Sequence, residues 1–244
     1  MAGYFDSRAS KWMIWWYVHR NHIDLSRFVV PEKGFASFND FFIRQLNPEF
    51  RTNEGTSFVS PCDGLLTVKR IDRMSSFTIK NSVYTVPELL KDADLAREYE
   101  GGTALIFRLT PSHYHRYCYC TDGIVSDMRR IDGVLHTVRP LAVENERVFL
   151  QNSRDFTVIS SLPFGEVVQM EVGALLVGKI SNHLHKAGFE SVLAGEEKGY
   201  FEYGGSTIIV LLDQEIILKE EIRRRERVGD EIPVHIGEAL LKEY

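Results

Sequence analysis

A glycine pair followed by a hydroxyl side chain is the first feature of this sequence that could do chemistry. Gly204 and Gly205 precede Ser206, and the apolar run from Ile208 to Leu212 predicts a buried strand immediately afterwards. Glycines permit a sharp turn ahead of the strand, so the Ser206 hydroxyl could attack the Gly205 carbonyl. On this stretch alone, a tight turn or β-bulge that merely feeds a core strand is the alternative.

A second candidate site follows the predicted strand Thr103–Leu109 and contains His113, His115, Cys118 and Cys120. In a straight strand the two histidines point to one face and the two cysteines to the other. A four-ligand metal site would therefore need a bulge, and no metal is predicted. One histidine that exchanges protons near neutral pH fits the pattern better, with simple packing of the rings on a sheet as the alternative.

A third candidate is the carboxylate of Asp63, which lies just before the predicted strand Leu65–Ile71. A carboxylate at a strand edge can orient a histidine for acid–base chemistry. Asp63 and Gly64 also form an Asp-Gly pair, which is a strong turn signal. Asp63 is therefore either a functional carboxylate or a turn residue.

Composition limits the functions that these residues could serve. The chain has 244 residues, with 44% hydrophobic and 26% charged residues, which is enough for a sizeable core. The net charge of −5 argues against general nucleic-acid binding. The three cysteines form no CxxC pair, which suits a reducing compartment.

The segment from Ser10 to Arg20 holds all three tryptophans, Trp12, Trp15 and Trp16. Aromatic rings beside basic residues favour a membrane interface, and a helix whose rings cap the core is the alternative. We find no apolar run long enough to span a bilayer and no signal-peptide pattern, so we expect a soluble or peripheral protein.

Two further helices are predicted from local signals. Ser37 is expected to cap a short helix whose face carries Phe38, Phe41 and Phe42, with Arg44 on the exposed side. A longer helix is predicted over Val86–Tyr99, with a proline in its first turn.

From Phe58 onward, short β-branched runs alternate with turn residues. The predicted fold is α+β and mainly β, with a single compact antiparallel β domain that is barrel- or sandwich-like. Residues 51–244 would form this catalytic domain, and residues 1–50 would form a helical, membrane-associating segment.

Several stretches, taken together and in this order, resemble the phosphatidylserine decarboxylase proenzymes. The resemblance covers most of the chain, and no single stretch would carry it. The stretches are Asn39-Asp-Phe-Phe-Ile-Arg44, Ser60-Pro-Cys-Asp-Gly64, Tyr114-His-Arg116, Asn145-Glu-Arg147, Val172-Gly-Ala-Leu-Leu-Val-Gly-Lys-Ile180 and Lys198-Gly-Tyr-Phe-Glu-Tyr-Gly-Gly-Ser-Thr207.

The resemblance implies a self-processing enzyme with a pyruvoyl cofactor derived from Ser206. Attack of Ser206 on Gly205 would give an ester, and β-elimination would separate a large chain (1–205) from a small chain (206–244). Loss of ammonia would leave a ketone at the new terminus. Such a ketone condenses with a substrate amine and withdraws the electrons released as carbon dioxide leaves, so no separate cofactor-binding motif is expected.

The resemblance also assigns roles to other residues. Asp63 corresponds to the family's carboxylate, and His115 to the histidine of its Tyr-His-Arg motif. The family pattern has a second histidine three residues later, as the base for self-cleavage, where this chain has Cys118. Three outcomes are open: Cys118 is the base, His115 or another histidine such as His136 takes over, or the chain stays uncleaved.

The function implied is conversion of phosphatidylserine to phosphatidylethanolamine by a cytoplasmic protein, peripheral on the inner face of the cell membrane. Trp12, Trp15 and Trp16 would contact the membrane, and a homodimer is compatible with the family. Two alternatives remain. One is a pyruvoyl-dependent decarboxylase of a soluble amino acid, and the other is an unprocessed, lipid-binding paralogue without activity.

Overall fold

The computed structural model describes residues 2–50, 56–72, 74, 76–79, 82–133, 152–173, 179–184, 188–203, 206–225 and 231–242. The predictions made for Gly205, His136 and the stretch 145–147 lie outside these residues.

Helices in the described residues are short, and half of those with α geometry lie near the N-terminus. The α-helices are α1 (Ala2–Phe5), α2 (Trp12–Arg20), α3 (Phe38–Phe42), α4 (Val86–Leu90), α5 (Ala93–Arg97) and α6 (Glu220–Arg223). Short 3₁₀ turns span Arg8–Ser10, Leu25–Arg27 and Pro48–Phe50.

Strands make up most of the remaining regular structure. They are β1 (Gly64–Arg70), β2 (Ser76–Ile79), β3 (Ser82–Thr85), β4 (Thr103–Leu109), β5 (Arg116–Cys118), β6 (Gly123–Ile131), β7 (Arg154–Ser161), β8 (Gly165–Val172), β9 (Ile180–Asn182), β10 (Ser191–Val192), β11 (Glu197–Phe201), β12 (Ser206–Leu212) and β13 (Ile232–Val234).

Among the described residues, the main sheet has eight strands in the order β10-β6-β7-β8-β12-β4-β1-β13. Every pairing in it is antiparallel. A three-stranded sheet, β5-β11-β9, covers one face of it. The predicted mainly β, antiparallel fold with N-terminal helices is confirmed. The described strands of the main sheet form an open sheet that does not close into a barrel.

Two hydrophobic layers lie on the two faces of the main sheet. On one face, Ile209 and Leu211 of β12 pack with residues of α4, including Leu89. On the other face, Ile208 and Val210 pack with residues of the small sheet, including Tyr117 and Phe201. Side chains alternate between the two faces of a strand, so β12 is buried on both sides.

The N-terminal helices form a separate aromatic cluster. Its buried rings are those of Tyr17, Phe35, Phe38, Phe41 and Phe42. The predicted cap is confirmed, since the Ser37 hydroxyl accepts the Asp40 N–H at 3.1 Å.

The prediction that Arg44 is exposed was wrong. Its guanidinium lies between the rings of Phe28 and Phe41, at 4.3 and 4.7 Å from their centroids, and the side chain is buried. Aromatic faces attract a guanidinium, so the charge is accommodated within the cluster.

The single helix predicted over Val86–Tyr99 is also wrong, because the segment breaks into α4 and α5. Lys91 ends α4 in the left-handed conformation, with φ of 52°. Asp92 then caps α5 by accepting the N–H groups of Asp94 and Leu95, each at 3.0 Å. An aspartate N-cap favours a new helix start over continuation of the old one.

Candidate active site

Ser206 is the first residue of the central strand β12, all of whose residues are buried. It pairs with Leu109 of β4, and the neighbouring Thr207 pairs with Val172 of β8. The Ser206 hydroxyl is fully buried and forms no hydrogen bond with any described residue. Buried polar groups normally have a partner, and the Thr207 hydroxyl beside it is unpaired in the same way, so the position of Ser206 directly after Gly205 is what distinguishes it.

Asp63 and the histidine-containing loop lie at the same end of the main sheet as Ser206. Leu65 of β1 pairs with Arg108 of β4, and Gly64 pairs with Val234 of β13. The antiparallel register therefore places the start of β12, the end of β4 and the start of β1 side by side. The structure thus brings the three predicted sites to one end of the main sheet.

The Asp63 carboxylate is bound by the C-terminal part of the chain. Its Oδ1 accepts the N–H of Ile236 at 2.9 Å and lies 3.7 Å from Nδ1 of His235. Burial alone would raise the pKa of Asp63, but His235 and the Ile236 N–H together hold it below the usual value. The same carboxylate raises the pKa of His235, against the effect of partial burial.

His113 is held by the turn that follows β4. Its Nδ1 accepts the N–H of Thr110 at 3.0 Å. Burial lowers the pKa of His113, and the field of Asp63 partly offsets this effect. The ring is therefore expected to be neutral at pH 7, with its proton on Nε2.

His115 lies immediately before β5 and is fully buried. Its Nδ1 lies 2.9 Å from the His113 carbonyl oxygen, which can only accept, so Nδ1 donates. The ring packs against that of Phe42, with centroids 4.1 Å apart and the two planes tilted by 38°. In the neutral ring the lone pair is consequently on Nε2, which is the arrangement a proton acceptor requires.

Cys118 lies in a small apolar cluster, opposite Glu197 in the pairing of β5 with β11. It packs with Val59, Ala194 and Ile236, and its thiol donates to the Ser60 carbonyl at 3.5 Å. Burial raises the pKa of Cys118 to about 12. This environment therefore favours the neutral thiol over the thiolate at pH 7.

Sequence reasoning missed His235, because no local motif marks it. It follows the three-residue strand β13, and its proximity to Asp63 depends on the pairing of β13 with β1. No signal within a few residues of His235 could have predicted a contact across so long a separation in sequence.

A buried ion pair between Lys198 and Glu171 was also missed. Both side chains are 0% exposed, and Nζ lies 2.5 Å from the carboxylate oxygen Oε2. Gln169 donates to Glu171 at 3.1 Å, and Asn182 accepts from Tyr117 at 3.0 Å within the same network. Gln169 and Glu171 alternate with apolar residues, a pattern typical of a solvated face, but the small sheet covers them.

Helix α2 connects the site to the surface. Trp12, Trp15 and Trp16 are 67%, 69% and 51% exposed, whereas Tyr17 is buried in the aromatic cluster. The Tyr17 hydroxyl donates to the carbonyl of Pro111, in the loop that carries His113. Within the part of the chain that the structure describes, no helix is long and apolar enough to cross a membrane.

Comparison with known families places the chain among decarboxylases. The family model described as phosphatidylserine decarboxylase matches residues 38–242. The chain therefore belongs to the phosphatidylserine decarboxylase family.

Individual relatives agree with this assignment. The chain is 43% identical over 227 residues to phosphatidylserine decarboxylase proenzyme 2 of Clostridium acetobutylicum, covering 92% of this chain and 76% of the relative. It is 42% identical over 219 residues to the phosphatidylserine decarboxylase proenzyme of Chlamydia muridarum, covering 88% and 72%. The corresponding proenzyme of Clostridium novyi is 37% identical over 242 residues, covering 97% and 81%.

Proposed function

We propose that this protein cleaves itself between Gly205 and Ser206 and then decarboxylates phosphatidylserine to phosphatidylethanolamine. The observation that carries the proposal is the buried Ser206 hydroxyl, which has no hydrogen-bond partner among the described residues. Ser206 is the first residue of the central strand, and the chain belongs to a decarboxylase family.

In the first step, the Ser206 oxygen attacks the carbonyl carbon of residue 205 while a base takes the hydroxyl proton. The nitrogen of residue 206 leaves, which converts the peptide bond into an ester. β-Elimination then releases residue 205 as a carboxylate, and hydrolysis of the remaining enamine expels ammonia. A buried hydroxyl without a competing partner fits the nucleophile, and residue 206 fits the position of a pyruvoyl group.

We assign the base to His115. Its Nδ1 is held by the His113 carbonyl, so Nε2 presents the lone pair. Asp63 supplies negative charge at the same end of the sheet and is kept ionised by its contacts to His235 and Ile236. Cys118 then serves to pack the turn at Ile236 rather than to accept the proton.

The pyruvoyl group would act as an electron sink for the decarboxylation. The residues around it exclude water, because the first residue of β12 and its neighbours on β4 and β8 are buried. His115 is also available to return a proton to the product at the same edge of the sheet.

Cleavage should leave the two chains associated. In the small chain (206–244), β12 remains paired with β4 and β8, and β13 with β1. Burial of Ile208–Leu212 alone contributes on the order of 10 kcal/mol by area arguments. Residues 51–244 would thus remain one catalytic domain after processing, with residues 1–50 as its membrane-associating segment.

A phospholipid substrate requires contact with a membrane, and α2 offers the surface for it. Its three exposed tryptophans lie beside Lys11 and Arg20, a combination suited to a lipid headgroup region. We place the protein on the inner face of the cell membrane as a peripheral protein. Activity as a homodimer is compatible with this arrangement.

Replacing Trp12, Trp15 and Trp16 together by serine should weaken binding to phosphatidylserine vesicles roughly 100-fold, because three aromatic side chains no longer insert. Vesicle co-sedimentation measures this partitioning. A matched control replaces three other exposed apolar side chains by serine, namely Leu162, Phe189 and Leu193, and should bind like the wild type. Equal loss in both variants would show that α2 is not the docking surface.

Cys118→Ala should still cleave itself at a rate within about threefold of wild type, because burial favours the neutral thiol, which is a poor proton acceptor. The cavity should lower the free energy of unfolding by about 1–2 kcal/mol. The measurement is a time course of cleavage in the freshly synthesised precursor. A loss of 10³-fold or more, with cleavage restored by Cys118→His, would instead make residue 118 the base.

The substrate is tested by offering the purified protein phosphatidylserine vesicles and, separately, free serine. We expect phosphatidylethanolamine from the vesicles and no product from serine. Turnover of the free amino acid would favour the alternative soluble substrate. A protein that binds vesicles, stays intact and converts neither compound would favour the inactive lipid-binding paralogue.

A further inference from the structure

The segment Asn39–Arg44 has no role in the chemistry proposed above, yet it touches both sides of the active site. It comprises most of α3 and the two residues that follow. One of its side chains reaches the chain just before the cleavage junction, and another reaches His115.

Asn39 binds the backbone just before the cleavage junction. Its Oδ1 accepts the N–H of Tyr203, two residues before Gly205, at 3.3 Å. Its Nδ2 donates to Asp6 at 2.9 Å. Because Asp6 can only accept, this second bond fixes the amide with its oxygen towards Tyr203.

The Tyr203 ring is held in the aromatic cluster of the N-terminal helices. Its centroid lies 4.6 Å from that of Phe5, 4.9 Å from Phe38 and 5.1 Å from Phe42. The contact with Phe5 is tilted and those with Phe38 and Phe42 are edge-to-face, an arrangement that is favourable for aromatic pairs. Both the backbone and the ring of Tyr203 are therefore attached to the N-terminal region.

The same segment also holds the histidine. The Phe42 ring packs against that of His115, and the Ile43 carbonyl accepts the Nε–H of Arg116 at 2.8 Å. The backbone of His115 is joined in turn to β11, since its carbonyl accepts the Phe201 N–H at 2.9 Å. Phe42 is thus in contact with both His115 and Tyr203.

We infer that Asn39 and Phe42 are positioning residues, which set the distance between the cleavage junction and His115. This inference rests on the proposed self-cleavage. An acyl shift needs the hydroxyl, the carbonyl and the base in one fixed arrangement, and displacements of about 1 Å can cost 100-fold in rate. A common support for both chain segments provides that arrangement before the bond is broken.

The Asn39 contact is tested by the cleavage rate of Asn39→Ala in freshly synthesised precursor, followed by intact mass. We expect cleavage about tenfold slower than wild type. Asn47→Ala is the matched control, because Asn47 donates to the Ser26 carbonyl at 3.0 Å in the same region without touching the junction. It should cleave at the wild-type rate.

A rescue separates positioning from general loss of structure. In the double variant Asp6→Asn with Asn39→Asp, residue 6 donates to residue 39, which still accepts the Tyr203 N–H. This variant should cleave within about twofold of wild type. Slow cleavage in both Asn39→Ala and the swapped pair, with an equal fall in melting temperature, would assign Asn39 a structural role only.

Phe42 has an internal control in Phe41, which is equally buried in the same cluster. The ring of Phe41 contacts those of Tyr17, Phe35 and Phe38 instead of His115 and Tyr203. Phe42→Leu and Phe41→Leu should lower the melting temperature by similar amounts. Only Phe42→Leu should slow cleavage about tenfold and change its pH profile. Identical cleavage kinetics in the two variants would overturn the inference, whereas an uncleaved wild type would overturn the proposed function first.

Discussion

Ser206→Ala is expected to abolish both self-cleavage and decarboxylation. An alanine has no oxygen to attack residue 205, and without a leaving group on Cβ its Cα cannot become the carbonyl carbon of a pyruvoyl group. The purified variant should be a single intact chain, with no phosphatidylethanolamine formed above background.

Thr207→Ala is a closely matched control for this experiment. Thr207 is the next residue of β12, and its hydroxyl is likewise buried without a partner among the described residues. Its removal should leave cleavage intact, because the hydroxyl is one residue away from the junction. Activity in Ser206→Ala, or equal failure of both variants, would contradict the assignment of the nucleophile to Ser206.

His115→Asn is expected to slow self-cleavage by roughly 10²–10⁴-fold, the usual contribution of a positioned acid–base group. The asparagine amide can still donate to the His113 carbonyl, so the local fold should be kept. What it lacks is the proton-accepting Nε2. The measurement is the cleavage time course, with melting temperature as a check on folding.

His183→Asn provides the comparison, since His183 is half-exposed and bonds to Glu197 at 2.9 Å. It should cleave normally. Wild-type cleavage in His115→Asn would transfer the base to another group, and His113 and His235 are then the next candidates because both lie near Asp63.

Local patterns were sufficient to predict several elements. The run Ile208–Leu212 is short, β-branched and bounded by polar residues, so its strand needed no distant information. The cap at Ser37 is equally local, because the hydroxyl bonds to an N–H three residues ahead. The family resemblance then supplied the roles that we propose for Ser206 and His115.

Features that depend on contacts between distant segments could not be predicted in this way. Helical spacing predicts that Arg44 is exposed, but the ring of Phe28 packs against its guanidinium. Lys91 has no turn signal of its own, and the cap at Asp92 decides the break between α4 and α5. Glu171 is buried in an ion pair with Lys198, which lies on β11 of the three-stranded sheet.

The candidate site shows the same division. The sequence reveals that Cys118 stands where the family pattern has a histidine, but it cannot reveal the apolar surroundings that raise the pKa of the thiol. Likewise, Asp63 is apparent as a strand-edge carboxylate, whereas its contacts to His235 and Ile236 exist only once β13 pairs with β1.

An intact-mass spectrum of the purified protein, taken without reducing or nucleophilic treatment, is the decisive measurement. We expect two species, residues 1–205 with a free carboxylate and residues 206–244 with a blocked pyruvoyl terminus. Their masses should sum to that of the precursor plus one water and less one ammonia. A single species with the mass of the uncleaved chain would contradict self-processing and leave a lipid-binding protein without the cofactor.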